Sequence, residues 1–334
     1  MTTTARGQAP KAVALREIQA PVRDRLDEVA AELQRIVSAD LPMLAEVNGH
    51  LMQMRGKMFR PTLCLLASGV EGRPEARAVP LAACVELIHL ATLVHDDAVD
   101  HSVLRRGMPT INALFSHQVS VIMGDYLYAR ALAELVRLGD LEPMRILAHA
   151  STVMTIGEMH QLAALDALAF SEADYTALIR AKTAALLSGA CEVGALAGAP
   201  GRRPALARYG ERLGMAFQIA DDLLDYTEDA ATTGKPTGLD LKEHKVTLPL
   251  IASLPEMDAA ARARVEALFA VPEPEADRVS EVIALVGAHG GIEYARRRGE
   301  EYMQEAEDSL AGLPDTPARG ALADAITYVM ERRW

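Results

Sequence analysis

Residues 86–110 read Glu86-Leu-Ile-His89-Leu-Ala-Thr-Leu-Val-His95-Asp96-Asp97-Ala-Val-Asp100-His-Ser-Val-Leu-Arg105-Arg106-Gly-Met-Pro-Thr110. With the preceding Leu81 to Val85 they form the most apolar stretch of the chain, interrupted by Glu86 and His89 before an acidic cluster closes it. Pro80 stands where proline suits a first helical turn, so the spacing predicts a helix from about residue 80 to Ser102. The run falls short of the unbroken ~18 apolar residues a membrane span requires, and it reads as a core helix. Its acidic end, D-D-x-x-D, recurs 125 residues later as Asp221-Asp222-Leu-Leu-Asp225, after another mostly apolar run from Leu213 to Ala220.

The rest of the chain carries helical punctuation. An amphipathic pattern covers about 22–48. Further helices are expected at about 118–138, 143–168, 174–199 and 204–229, with Pro143 and Pro317 at first-turn positions and Ser171-Glu-Ala-Asp174 spaced as a capping box. Of 334 residues 58 are Ala, against five Phe, eight Tyr and one Trp, which favours helix over sheet. Short connections and no hinge-like linker predict one all-α domain over 21–334 after a flexible segment at 1–20.

The net charge of −12, from 34 basic and 46 acidic residues, excludes nucleic acid as a natural partner. Cys64, Cys84 and Cys191 lack C-x-x-C spacing and read as reduced core thiols of a cytoplasmic protein. The first 20 residues lack the apolar run of a signal peptide.

Within each D-D-x-x-D the first and last Asp share a helical face, and the middle one lies about 100° away. Three like charges near a helix C-terminus oppose both one another and the helix dipole. A hard divalent cation reverses that balance, and Mg²⁺ takes one or two carboxylates together with water and phosphate oxygens. Cations to complement a diphosphate stand close in sequence: Lys57 and Arg60 on one face, Arg105 and Arg106 after the first cluster, Lys235 and Lys245 after the second.

The run Glu86–Thr110, with Gly56-Lys57…Arg60-Pro61, Phe217-Gln218…Asp221-Asp222…Asp225 and Lys245-Val-Thr-Leu-Pro249, resembles the trans-isoprenyl diphosphate synthases (polyprenyl synthetases), most nearly those of medium and long chain. The similarity extends from about residue 25 to Tyr328-Val-Met-Glu-Arg332. It implies a single large helical bundle of isoprenoid synthase type around a deep central cavity, and a homodimer. It also implies that Asp96, Asp97, Asp100, Asp221, Asp222 and Asp225 hold several Mg²⁺ ions. Arg105, Lys182, Thr183, Gln218, Lys235 and Lys245 would contact an allylic diphosphate, with Arg105, Lys182 and Lys235 stabilising the departing pyrophosphate. Gly56, Lys57, Arg60, His89 and Arg106 would bind isopentenyl diphosphate. Two positions depart from the pattern: Arg55 and His244 stand where glycine is usual.

The implied reaction joins isopentenyl diphosphate head-to-tail (1'-4) to geranyl, farnesyl or geranylgeranyl diphosphate, giving a longer all-trans chain and pyrophosphate. In this family bulky aromatics just before the first Asp stop elongation early. Here Ala91 and Thr92 are small and Leu87 and Ile88 lie deeper, which predicts a product longer than farnesyl. A class I terpene cyclase would lack the Lys57, Arg60 and Arg106 site and a full second D-D-x-x-D. A non-catalytic partner subunit of a heteromeric synthase would lose Asp clusters, whereas all six are present. Glu86-x-x-His89 has di-iron spacing, yet Glu158 and His160 do not provide the required second copy.

Overall fold

The computed structural model describes residues 13–54, 56–163, 167–227 and 237–330. In chain order they form α1 (Leu15–Ile18), α2 (Arg23–Val37), α3 (Pro42–Gln53), α4 (Phe59–Gly69), α5 (Ala78–Val99), a hairpin of β1 (Leu104–Arg105) and β2 (Met108–Pro109), α6 (Ile111–Leu114), α7 (His117–Arg137), α8 (Leu141–Ala163), α9 (Glu172–Ile179), a π-helical turn (Arg180–Ala184), and α10 (Ala185–Leu196). There follow α11 (Arg203–Thr227), α12 (Leu239–Lys242), α13 (Leu248–Ser253), α14 (Ala259–Phe269), α15 (Ala276–Ala288), α16 (Gly291–Leu310) and α17 (Pro317–Met330).

The all-α architecture agrees with the sequence, with local corrections. The pattern at 22–48 is two helices, because Pro42 opens α3 and holds Leu41 extended (ψ 117°). Ser171 and Asp174 form the expected capping box, and Thr316 caps α17 by accepting from the Arg319 amide. Residues Leu15–Ile18, expected within a flexible segment at 1–20, are helical. Ile18 is fully buried, and α1 packs on α17.

Helix α5 is the axis of the main core, contacting α2, α4, α7 and α10. It is long and apolar enough to cross a membrane, but 72% of its apolar window is buried by other helices, as in a core helix. Small residues let the helices close in. A Cβ on Gly194 would strike the Cys64 carbonyl, and one on Gly210 would come within 2.5 Å of the Leu187 carbonyl oxygen, so α10 lies tight against both α4 and α11. The three cysteines are buried and unpaired in this core.

A second, smaller core forms where Tyr226 at the end of α11 meets Leu241, Val246 and Leu250 and the inner faces of α14 and α15. It holds the segment from Leu241 to Leu250 against the end of α11. The first cluster, by contrast, ends the helix at the centre of the main core.

Candidate active site

Helix α5 ends at Val99, placing Asp96 half-buried, Asp97 at 5% exposure and Asp100 exposed at its tip. The chain then reverses in a hairpin that the sequence did not announce. Arg106 (φ 53°) and Gly107 (φ 75°) are both left-handed, as a two-residue primed turn demands. Thr110 fastens the hairpin by donating to the Ser102 carbonyl (2.6 Å). The reversal lays Arg105 along Asp97, with Nε at 2.9 Å from both carboxylate oxygens and a second guanidinium nitrogen at 2.8 Å. Asp97 is thus committed to Arg105, which leaves Asp96 and Asp100 to face outward. Neither forms an ion pair among the described residues.

Arg106 points the other way, donating to the Met54 carbonyl (3.0 Å). Any side chain on Gly56 would press on its guanidinium, since a Cβ there would lie 2.5 Å from Nη1. Arg60 meets His89 Nε2 at 2.9 Å. Burial, and then the charge of Arg60, hold His89 well below the usual imidazole range, so the ring is neutral and accepts from Arg60. Glu86, one turn earlier and 3% exposed, is raised by burial against the attraction of Arg60 and Arg106. The pair Glu86 and His89 therefore serves a basic pocket rather than a di-iron site. Lys57 is exposed at its rim.

The second cluster sits on α11. Asp222, 6% exposed, accepts from the Tyr175 hydroxyl (2.6 Å) and from Gln218 Nε2 (2.9 Å), and Thr183 donates to the Gln218 carbonyl oxygen (2.7 Å). Thr183 and Gln218, expected at the allylic diphosphate, are here the support of Asp222. Asp225 accepts from the amides of Leu239 (3.0 Å) and Asp240 (2.9 Å) and so tethers the start of α12. That tether brings in Asp240, which the sequence reading missed and whose only signal was its place five residues before Lys245. Tyr175 was missed as well, because nothing local links it to a residue 47 positions on.

The π-helical turn presents Lys182, which pairs with Glu158 Oε1 at 2.8 Å. Lys182 also lowers Asp96, while Asp100 adds to the pull that raises Lys245. Cations of the second half thus lie beside carboxylates of the first, so the two clusters face one site. Burial raises Asp96 to about 6, Asp240 to about 7 and Asp222 to about 8. His244 (φ 56°) adopts a left-handed conformation, which is why glycine suits that position. Lys235 and Arg55 lie outside the described residues.

The donors are all hard oxygens, and several are buried carboxylates with raised proton affinity, which suits a divalent cation. Among the described residues no three acidic, histidine or cysteine side chains converge as a self-contained metal site. A Mg²⁺ ion held by one or two of these carboxylates would complete its shell with water or phosphate oxygens. One and two turns before Asp96 on its face lie Thr92 and Ile88. Ile88 lines an apolar cavity of about 180 Å³ with Tyr128, Ala131, Leu132 and Leu135 of α7 and Leu147, Ala148 and Ser151 of α8. Leu87 and Ala91, expected to line the same path, are fully buried on the neighbouring face of α5.

The all-α bundle that carries these clusters is the isoprenoid synthase fold of solved isoprenyl diphosphate synthases. The chain belongs to the polyprenyl synthetase family, whose model matches residues 41–286. It is 38% identical to the heptaprenyl diphosphate synthase component 2 of Geobacillus stearothermophilus, over 92% of this chain and 96% of that protein. A decaprenyl diphosphate synthase from Rhodobacter capsulatus superposes with a TM-score of 0.90 at 40% identity, covering 96% of this chain and all of that one. A Caulobacter crescentus polyprenyl synthase, solved with calcium and isoprenyl diphosphate, also gives 0.90, at 32% identity over 98% and 100% of the chains.

Proposed function

We propose that the protein is a trans-prenyltransferase that adds isopentenyl diphosphate head-to-tail to an allylic diphosphate, extending an all-trans polyprenyl diphosphate and releasing pyrophosphate. The observation that carries this reading is the pairing of two distinct anion-binding regions. One is the acidic pair of clusters flanked by Lys182 and Lys245; the other is the pocket of Lys57, Arg60, His89 and Arg106. A terpene cyclase needs only the first.

Asp96, Asp100 and Asp221 would hold Mg²⁺. When bound there, the metal would draw charge from the diphosphate of the allylic substrate and so favour C–O cleavage. Lys182 and Lys245 add fixed positive charge beside the leaving oxygens, and Asp97 holds Arg105 in place for the same task. Neutral His89 keeps the Arg60 fork oriented toward the second diphosphate. The apolar wall from Thr92 to Ile88 excludes water from the carbocation. No side chain is assigned to the final proton loss, for which the departing pyrophosphate is the base.

Incubation with Mg²⁺, isopentenyl diphosphate and farnesyl diphosphate, followed by chromatographic sizing, tests the reading. Elongated products that vanish on chelation are expected; cyclic hydrocarbons or no elongation would reject it. The 180 Å³ cavity extends the proposal to a product longer than farnesyl. Ile88→Phe should shorten the product, whereas Ala91→Phe falls in the packed core and should mainly destabilise the fold. We infer a homodimer, joined through the exposed Ile122, Leu132 and Val136 of α7 and Ile156 and Met159 of α8. Sedimentation of the purified chain tests this against a requirement for a second component.

A further inference from the structure

The loop carrying Lys57 has no helix or strand of its own, since residues 56–58 lie between α3 and α4 and Met58 is left-handed (φ 55°). Such a loop holds one shape only if its polar groups are fixed from outside. On one side is the Arg106 guanidinium, packed against Gly56. On the other is Gln19, from the turn after α1. Its side-chain amide donates to the Lys57 carbonyl (2.9 Å) and to the Thr62 hydroxyl (3.1 Å).

The orientation of this amide is determined by its partners. A carbonyl only accepts, so the group facing Lys57 is the NH₂. The Thr62 hydroxyl gives its own proton to the Met58 carbonyl (2.7 Å), which leaves a lone pair for Gln19. Both amide hydrogens are therefore used, one at each end of the segment from Lys57 to the first turn of α4, where Arg60 sits. The anchor of Gln19 is firm: the adjacent Ile18 is fully buried and α1 packs on α17. In α17, Tyr328 lies 6.0 Å from Phe59, which stacks at 6.1 Å on Phe217 beside Gln218.

We propose that Gln19 is a positioning residue for the isopentenyl diphosphate pocket, holding the Lys57 loop in register with Arg60 without touching substrate itself. The inference rests on the function proposed above. Gln19→Leu keeps the bulk and removes both donors. It should raise KM for isopentenyl diphosphate roughly tenfold, as a loosened binding group does, while KM for the allylic diphosphate and the melting temperature stay near wild type.

Gln19→Glu, which puts a carboxylate against the Lys57 carbonyl, should do the same or worse. If Gln19→Leu fails to fold, Thr62→Val breaks the same link from the other side and must show the same split between the two KM values. Equal changes in both KM values, or none in either, would overturn the proposal. Wild-type protein that fails to elongate any allylic primer would instead overturn the function on which it rests.

Discussion

Asp97 and Asp222 occupy the same middle position of D-D-x-x-D, and both are almost completely buried, at 5% and 6% exposure. Asp97 lies against a guanidinium that holds both of its oxygens. Asp222 lies against a phenol and an amide, and no cation reaches it among the described residues. The first cluster is therefore partly neutralised by an arginine, while at the second burial raises the proton affinity of Asp222, which only neutral donors hold. A motif repeated in sequence is not repeated in electrostatics. What differs is the chain that follows: a tight hairpin returns an arginine in one case, and a loop on a satellite core returns another aspartate, Asp240, in the other.

The largest expected effect is at Asp96, a half-buried carboxylate beside both Lys182 and Asp100. Asp96→Ala should lower kcat/KM by about 10³-fold or more while circular dichroism and melting temperature stay near wild type. Retained activity would break the assignment of Asp96 as a metal ligand. The same Asp-to-Asn change at the two middle positions should then move stability in opposite directions. Asp97→Asn strands Arg105, which is one-third exposed, and should cost about 1–2 kcal/mol. Asp222→Asn replaces a buried carboxyl that burial already favours in its protonated form, and should leave melting near neutral pH unchanged or raised, with activity falling about 10²-fold. A common sign for the two melting shifts would dissolve the contrast.

Acidity sharpens it further. Asp96, Asp240 and Asp222 titrate near 6, 7 and 8, above the 3.8 of an exposed aspartate. The folded chain then holds protons that the unfolded chain has released. This contribution to stability is fully present below about pH 4 and is lost as pH rises through 6 to 8. Thermal melts of the metal-free protein should fall across that window. Added Mg²⁺ should raise the melting temperature more at pH 8 than at pH 6, where it must displace protons. The smallest effect is at His244. His244→Gly relieves a left-handed residue but loses the ring packing on Phe269, 5.4 Å away, and should shift melting by less than about 2 °C.

Much of this was readable in one dimension. The apolar run closed by Asp96, Asp97 and Asp100 announced a core helix with an acidic tip, because helical periodicity and burial are local properties of composition. The capping box at Ser171 and the proline at the start of α17 were legible for the same reason. The partners of those residues were not. The bond of Arg105 to Asp97, and the chain from Thr183 through Gln218 to Asp222, could not be read from spacing. That Ile88 meets α7 and α8 at an apolar cavity was equally illegible, because it depends on which helices pack against α5.

Sequence by itself determined the fold class, the two acidic clusters and the set of cations that answer them, because those rest on spacing along the chain and on residue chemistry. Only the tertiary structure decided which carboxylate an arginine neutralises and which is held by neutral donors alone. It alone showed that Gln19 fixes the Lys57 loop and that residues of α7 and α8 wall the cavity. Charge compensation and hydrogen bonding depend on distances of about 3 Å between residues far apart in the chain, and those distances are set by how helices pack.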